Sequence, residues 1–461
     1  MELIREGAWC RPGVLVERWA HRFAPALAPL RCVCPVKLQY CPEPNGWSKI
    51  RGMRDFELYQ QILGLEEPWR VESVTLKAKE REIEVRVGFT ETLWGCPQCQ
   101  ERMQIHDYEE RRWRHLDSCQ FQTIIVSRVP VVRCPTHGSQ TVAVPWAEKY
   151  ARFSRLFERL AIDLMLECSI SGACDILGIS WDEADGIKQR AVRRGLARKQ
   201  PVVMPRLCVD EKGIGNGQNY LTIVAQVEAD RTTVQYVGEE RERESLDAFW
   251  QSLTTAQLAG VEAVGMDMWE PYVQSTLAHV PGAAGKIVHD PFHLVKAMNE
   301  AVNDVRKREQ ARLQAQGDDI LKGTRQLWLY GLENVPAKHA QRFEEIWATN
   351  LETSRAWVIK ETFRSFWLCD TVKAAEKYFD KWYSRAIRSR LAPVKKVART
   401  CKTHLDHILT FFIHRLTNGP IEGLNNAIQG LIKKAFGYRN KERFKTDIFF
   451  HFGGLDLYPS Q

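Results

Sequence analysis

The chain has 461 residues, 44% hydrophobic and 26% charged, which is the composition of a soluble globular protein. No run approaches the roughly 18 apolar residues of a membrane helix, and the N-terminus lacks the apolar segment of a secretion signal. The 13 cysteines are odd in number and scattered, which excludes a disulfide framework and favours a reduced, cytoplasmic protein with some thiols on metal. The net charge of +8 is compatible with a polyanionic partner.

Residues 1–52 differ from the rest of the chain. They carry four cysteines among proline-spaced fragments and show no sustained helical or strand period. We predict that this stretch is a disordered or non-native extension. The alternative is a small metal site on Cys32, Cys34 and Cys41. Helical spacing of apolar residues from 53 to 64 then predicts the first helix of a domain.

Two short cysteine motifs flank a β-rich stretch in which apolar and polar residues alternate. Cys96 and Cys99 form a CxxC motif, and Cys134 and His137 form the same motif with histidine in the last place. Each motif holds two ligands a few ångströms apart, and a β core between them can bring both pairs to one tetrahedral Zn²⁺. We therefore predict one zinc site on these four residues. The substitute ligands, if one fails, are Cys119, His106 and His115.

Helical periodicity replaces strand alternation between residues 153 and 199. Three helical stretches follow one another, with a tight turn at Gly178 between the second and the third. This order is that of a helix-turn-helix motif, and a helical linker is the alternative. The cations of the last helix favour DNA as the partner. The predicted phosphate contacts on this helix are Lys188, Arg190, Arg193 and Arg194.

Two carboxylates stand at the ends of predicted strands. Asp210 ends an apolar run and is followed by a glycine-rich turn, two further strands and a helix. Asp267 ends the next strand, which a crossover helix should place parallel to the first. Each aspartate alone is more simply a solvated strand end. Two of them at one sheet edge repel each other, however, and indicate a divalent metal site.

The predicted order of elements is strand, strand, strand, helix, strand, helix, strand. Ribonuclease H-like folds have this order, and their first and fourth strands carry the metal-binding acids. The segments 289–294 and, above all, 418–426 complete a more specific resemblance. From about residue 53 to its end, the chain resembles insertion-sequence transposases of the DDE class, most of all the ISL3 family. That family combines a zinc ribbon, a helix-turn-helix and a ribonuclease H-like catalytic domain.

The resemblance implies a DNA transposase whose third acid is Glu422. Two Mg²⁺ (or Mn²⁺) ions on Asp210, Asp267 and Glu422 would then activate water, and later a 3′-hydroxyl, for in-line displacement at phosphorus. Taken alone, Glu422 is more simply a helix-capping acid. Asn425 and Asn426 follow it by three and four residues and therefore share its helix face. The accessory residues that the family motifs suggest are Glu211, Asp290, His293, Asn418, Asn425 and Asn426.

The separation of Asp267 from the third acid is too long for a simple ribonuclease H-like fold. Residues at about 295–415 are mostly helix-forming and predict an all-α insertion, with its tryptophans in the core. The cations between 385 and 402 are either DNA contacts or a solvated helix face. Many enzymes of this class carry a basic residue two turns after the third acid, whereas this chain has Gln429. The DNA contacts predicted beyond it are Lys433 and Lys434.

The whole chain is thus predicted to be a multidomain α+β protein. The predicted domains are 1–52 (the extension), 53–148 (first helix and zinc ribbon), 149–200 (helix-turn-helix) and 201–461 (catalytic domain with its insertion). The expected partners are double-stranded DNA, as terminal inverted repeats and as target, and further copies of the chain on DNA. We expect no membrane association and a place in the bacterial cytoplasm, at the nucleoid when bound to DNA. The alternatives are a non-catalytic DNA-binding derivative of a transposase and a structure-specific nuclease of the same fold.

Overall fold

The computed structural model describes residues 54–213, 220–347, 349 and 351–460. The extension 1–52, with the alternative metal ligands Cys32, Cys34 and Cys41, lies outside the described residues. Two compact units are present: the first ends at Gly64 and the second is Leu65–Gln461. The first contains helix α1 (Asp55–Ile62), in the place where the sequence predicts a helix. Within the described ranges no helix combines the length and apolarity needed to cross a membrane.

A mixed β-sheet opens the second unit. Its strands are β1 (Trp69–Lys77), β2 (Glu82–Phe89), β3 (Leu93–Gly95), β4 (Arg102–Arg114), β5 (Gln122–Cys134) and β6 (Gly138–Thr141). Their order is β1-β2-β5-β4-β3, and β6 pairs with β5. The buried indoles of Trp113 and Trp146 pack edge to face with centroids 5.3 Å apart, so aromatic packing fills this core. The turns β3–β4 and β5–β6 carry the two cysteine motifs.

Three helices follow the sheet as predicted: α2 (Arg155–Glu167), α3 (Ile170–Leu177) and α4 (Trp181–Arg198). A serine caps each N-terminus by accepting a hydrogen bond from a backbone N–H of the first turn. Gly178 ends α3 in the left-handed conformation, with φ of 63°, which glycine adopts without steric cost. The core of this bundle includes Phe450 and Leu457, so the C-terminal end of the chain packs into it.

The second sheet consists of β7 (Arg206–Gly213), β8 (Tyr220–Val227), β9 (Thr232–Glu239), β10 (Ala263–Met266) and β11 (Ile287–His289). The order is β11-β10-β7-β8-β9; β7, β8 and β9 form an antiparallel meander, and β10 is parallel to both β7 and β11. The predicted ribonuclease H-like order is therefore confirmed. Helices α5 (Arg243–Gln251), α6 (Thr255–Ala259) and α7 (Glu270–His279) lie between these strands in the chain. A short 3₁₀ helix, Ala283–Gly285, precedes β11.

An all-α insertion follows β11, also as predicted. Its helices are α8 (Pro291–Gln314), α9 (Ala337–Trp347), α10 (Glu352–Phe366), α11 (Val372–Arg388), α12 (Ala392–Thr403), α13 (Leu405–Leu409) and α14 (Phe411–His414), with a 3₁₀ turn at Leu332–Asn334. Trp328, Trp357, Trp367 and Trp382 are buried in its core, and Trp347 is partly buried against it, so the prediction of core tryptophans is confirmed. Trp328, however, lies in a turn and not on a helix.

Helices α15 (Gly419–Lys434) and α16 (Lys441–Phe452) return the chain to the second sheet. Ile421 and Ile428 of α15 share one core with Ile223 of β8, whereas Trp250 of α5 belongs to the core on the other side. Helices thus cover both faces of the sheet, and α15 lies against the face of its antiparallel strands.

Candidate active site and metal centre

Two carboxylates lie where the parallel pairing of two adjacent strands ends, although β7 itself continues for three residues beyond Asp210. Asp210 is in β7, and Asp267 directly follows β10. The register pairs Val209 with Met266, so the two acids stand one residue further on in both strands. Burial, with a smaller contribution from the charge of Asp267, raises the pKa of Asp210 to about 6. A cation at this edge would favour the ionised form of both groups.

Helix α15, which bears the third predicted acid, contacts the same edge. The side-chain amide of Asn425 donates a hydrogen bond to Asp210 Oδ2 at 2.7 Å. Lys212 Nζ donates to the backbone carbonyl oxygen of Asn425 at 3.0 Å. Glu422 lies one helical turn before Asn425 on the same face. Its exposed side chain makes no hydrogen bond or ion pair with any other residue that the structure describes, so this carboxylate is available to a ligand.

His293, in the first turn of α8, lies between two acids. Its Nδ1 is 2.8 Å from Asp267 Oδ1 and 3.2 Å from Asp290 Oδ2. Hydrogen bonds to Asp267 and then to Asp290 raise the pKa of His293 to about 10. The imidazole is therefore protonated at neutral pH, and its charge balances Asp267.

Asp290 joins this edge to the start of α15. Its side chain is buried, and Oδ2 caps α8 by accepting a hydrogen bond from the backbone N–H of His293. Its other oxygen, Oδ1, accepts from the backbone N–H of Asn418 at 3.0 Å. The buried side-chain amide of Asn418 has no partner among the described residues. Asn418 Oδ1 is only 2.7 Å from the position of a Cβ on Gly265, so β10 needs glycine there.

We expect Gly265→Ala to destabilise the protein by about 1–3 kcal/mol, because the added methyl group overlaps Asn418 Oδ1 and lies 3.0 Å from Cys208 Sγ. Gly285→Ala is the matched control, since a Cβ at Gly285 meets no atom within 4 Å. Urea unfolding of both variants measures the difference. Equal stability of the two variants would contradict this close approach of Asn418 to β10.

The three acids do not form as tight a group as the cysteine motifs do. In the described ranges, Cys96, Cys99, Cys134 and His137 form a Cys₃His cluster whose ligand atoms all lie within 4.8 Å of one another. No such group of acids is found in those ranges. Asp210 and Asp267 instead bind Asn425 and His293.

The remaining accessory residues are placed differently. Glu211 forms an ion pair with Arg241, whose guanidinium lies 4.0 Å from the ring centroid of Trp269. Asn426 is exposed.

Lys212 and Arg241 are functional residues that the sequence analysis did not predict. Lys212 follows Asp210 by two residues on the same strand face, so the alternation of the strand could have identified it. Arg241 lies in the connection from β9 to α5 and has no comparable signal.

The four predicted zinc ligands converge. Cys99 Sγ is 3.7 Å from Cys134 Sγ, and His137 Nδ1 is 3.4 Å from Cys134 Sγ and 3.8 Å from Cys96 Sγ. A tetrahedral Zn²⁺ with Zn–S bonds of about 2.3 Å separates two sulfurs by about 3.8 Å, which matches this spacing. Backbone N–H groups of the first motif lower the pKa of Cys96 to about 6 and so favour the thiolate. The substitutes Cys119, His106 and His115 lie outside the cluster.

The cations of α4 are mostly engaged inside the protein. Lys188 is 5% exposed, with Nζ 2.5 Å from Asp447 Oδ1. Arg190 and Arg194 both bind the buried carboxylate of Glu158, at 2.5 and 3.1 Å. A phosphate contact by any of the three would break an internal ion pair. Their assignment as phosphate contacts stays a prediction, which these ion pairs with acids of neighbouring elements do not support.

Three predicted DNA contacts remain on the surface. Arg193 is exposed and its side chain has no hydrogen-bond or ion-pair partner within the described part of the chain. Lys433 is exposed near the end of α15. Lys434 is exposed as well, and its Nζ is 3.5 Å from the carbonyl oxygen of Glu167. These side chains can reach a ligand without breaking an internal ion pair.

Arg194→Gln is expected to lower the free energy of unfolding by about 3 kcal/mol, since it removes a cation from the buried carboxylate of Glu158. Arg193→Gln, one residue away but exposed, should change it by less than about 0.5 kcal/mol. Chemical denaturation of both variants makes the comparison. An equal loss in the two would show that the internal ion pair does not stabilise this bundle.

Comparison with known proteins gives three family matches. The ISL3 model described as "Transposase" matches residues 207–448, the helix-turn-helix domain of transposase family ISL3 matches 142–192, and the zinc-finger of transposase IS204/IS1001/IS1096/IS1165 matches 92–137. The three acids and the four zinc ligands lie within the matched ranges.

Two similar proteins cover most of the chain. The transposase for insertion sequence element IS1001 of Bordetella parapertussis is 26% identical over 396 residues, which are 84% of this chain and 93% of the relative. The transposase for insertion sequence element IS1557 of Mycobacterium tuberculosis is 25% identical over 423 residues, 85% of this chain and 94% of the relative.

Proposed function

Because the chain belongs to the ISL3 family of insertion-sequence transposases, we propose that it cuts and joins DNA with Asp210, Asp267 and Glu422. The observation that carries this proposal is that both aspartates directly follow the last residue pair of β7 and β10, Val209 and Met266. The hydrogen bond from Asn425 to Asp210 supports the third member, since it fixes the helix face that bears Glu422 beside them.

The three acids fit hard divalent cations, which prefer carboxylate oxygens. Two Mg²⁺ (or Mn²⁺) ions bound there would supply the charge that stabilises the attacking and leaving oxygens in an in-line displacement at phosphorus. The protein's own part is to hold the acids in place. Asn425 orients Asp210 through its side-chain amide, and His293 holds Asp267 in place through its Nδ1. Lys212 fixes the backbone of α15 to β7.

The zinc site has a different role. All four of its ligands come from the protein, in two turns of the first sheet, so we assign it to folding rather than to chemistry. Zn²⁺ at Cys96, Cys99, Cys134 and His137 would join the turns β3–β4 and β5–β6.

Helix-turn-helix and transposase domains imply DNA as the partner. We propose that Arg193, Lys433 and Lys434 contact phosphates at the terminal repeats, since their charges are not consumed inside the protein. Domains at 53–148, 149–200 and 201–461 would bind the ends and act on them as an oligomer of this chain on DNA. We place this activity in the bacterial cytoplasm because the proposed substrate is chromosomal DNA.

A cleavage assay tests the function. Purified protein is incubated with a duplex carrying the inverted repeats that flank its gene, with Mg²⁺ or with EDTA. We expect nicks at the element ends and joined products with Mg²⁺ alone. Specific binding of the ends without cleavage in any divalent metal would favour the non-catalytic derivative, and cleavage of branched DNA without regard to the repeats would favour the nuclease.

A further inference from the structure

The helical insertion carries a dense run of cations away from the acids. Residues 381–405 contain eight Lys or Arg and no Asp or Glu. The run covers the C-terminal half of α11, the connection after it and all of α12. We call its exposed cations the insertion basic face. They include Lys381, Arg385, Arg388, Lys396 and Arg399.

The cations of α11 share one side of the helix. Lys381, Arg385 and Arg388 are exposed and follow one another at intervals of four and three residues, which places them on one face. The buried residues of α11 lie on the opposite face, at Ala375, Phe379, Trp382 and Ala386. Lys396 and Arg399 of α12 are exposed as well. From residue 381 onward, this helix hairpin thus separates an apolar core side from an outer side whose charged residues are all basic.

These charges are not neutralised by the protein. In the part of the chain that the structure describes, the side chains of all five cations make no hydrogen bond and no ion pair. Near them, Lys402 pairs weakly with Asp380, at 3.7 Å. Helix α4 shows the opposite arrangement, with Lys188 and Arg194 buried on acids. Among the described residues, α11 and α12 of the insertion therefore carry more unpaired cations than α4 of the helix-turn-helix.

We propose that the insertion basic face binds the phosphate backbone of duplex DNA without reading its sequence. The proposal rests on the proposed function, since an enzyme that joins strands must hold DNA beyond its own ends. Residues 381–403 contain Lys and Arg but no Asn or Gln, and contacts of this kind give affinity without sequence selection. Helix α12 packs on α8, whose first turn carries His293, so the face belongs to the same body as the acids.

The test uses Arg385→Gln, Arg388→Gln and Arg399→Gln in one chain. Each of three lost phosphate contacts lowers the slope of log affinity against log salt by about 0.9, so the slope should fall by about 2–3. At physiological salt the Kd for a random duplex should rise by about tenfold or more. Binding is measured in EDTA, where no strand is cut, so its outcome is independent of whether the three acids catalyse cleavage.

The matched control is Lys307→Gln, Lys322→Gln and Arg342→Gln. These exposed cations belong to the same insertion but pair with acids three residues away, and their loss changes the net charge by the same amount. The control should bind within about twofold of the wild type, and both variants should melt at the wild-type temperature because only exposed side chains change. Equal weakening in both variants would overturn the proposal, as would unchanged binding in the first.

Two further outcomes would also overturn it. A loss confined to duplexes that carry the terminal repeats would mean that this face reads sequence. A loss of binding to single-stranded RNA or to polyglutamate, with duplex DNA unaffected, would assign the face to a different polyanion. One fluorescently labelled random duplex is used for all protein variants. The repeat-bearing duplex, the single-stranded RNA and polyglutamate are measured in parallel.

Discussion

Replacing Asp210, Asp267 or Glu422 by its amide is expected to lower strand cleavage by about 10³-fold or more, with end binding changed less than about threefold. Asparagine and glutamine keep the size of the side chain but remove the negative charge that a divalent cation requires. The binding surface is unaffected, because the acids are not the groups that neutralise phosphate charge. Nicking and gel-shift assays on the same duplex separate the two effects.

Glu262→Gln is the matched control for these variants. Glu262 is an exposed acid immediately before β10, at the opposite end of the strand from Asp267, and its loss should leave cleavage unchanged. Any one of the three amide variants that cuts at the wild-type rate is thereby removed from the site. A parallel loss of end binding would mean that the substitution had damaged the fold instead.

The second large effect is expected at the zinc cluster. Cys96→Ser combined with Cys134→Ser should reduce bound zinc from about one ion per chain to nearly none and unfold the first sheet around it. Binding at such sites contributes about 10–16 kcal/mol in small zinc domains, which is comparable with an ordinary domain's whole stability of about 5–15 kcal/mol. Metal analysis gives the stoichiometry, and near-ultraviolet circular dichroism reports the packing of the buried Trp113 and Trp146.

Cys119→Ser is the control, since Cys119 is exposed and lies outside the cluster. It should keep its zinc and its circular dichroism. If the double variant instead retained its zinc, the ion would have to be bound elsewhere, and the N-terminal cysteines Cys32, Cys34 and Cys41 would become the candidates.

The strand order and the zinc cluster could be predicted because both depend on patterns between residues close together in the sequence. The alternation and spacing around Asp210 and Asp267 indicated a meander, a crossover and two acids at one edge, and β7 and β10 have that arrangement. The two cysteine motifs indicated a four-ligand cluster for the same reason. Both predictions needed only the period of strands and the short distance between ligands in one turn.

Charge partners that are distant in the chain could not be predicted in this way. Lys188 binds Asp447, and Arg194 donates to the carbonyl oxygen of Leu457 at 2.5 Å. The sequence shows that α4 is basic, but the acids that neutralise it belong to other elements, Glu158 to α2 and Asp447 to α16. A basic helix and a DNA-binding helix are therefore indistinguishable until these partners are placed.

The role of His293 was also beyond the sequence. It was a motif residue without an assigned contact, and its position between Asp267 and Asp290 follows from the packing of α8 against the end of β10. The start of α15 likewise approaches β10 closely and places Asn418 opposite Gly265. Such contacts depend on how closely two elements approach, which a hydrophobic pattern does not specify.

The most direct test of the central claim, that Asp210, Asp267 and Glu422 hold one metal centre, is to count Mn²⁺ ions on the protein–DNA complex by electron paramagnetic resonance. The wild type should bind about two ions per active site. Glu422→Gln, whose side chain is exposed and unpaired and whose loss should not disturb the fold, should bind fewer ions or bind them about tenfold more weakly. Identical Mn²⁺ binding by the two proteins would contradict a metal centre that includes Glu422.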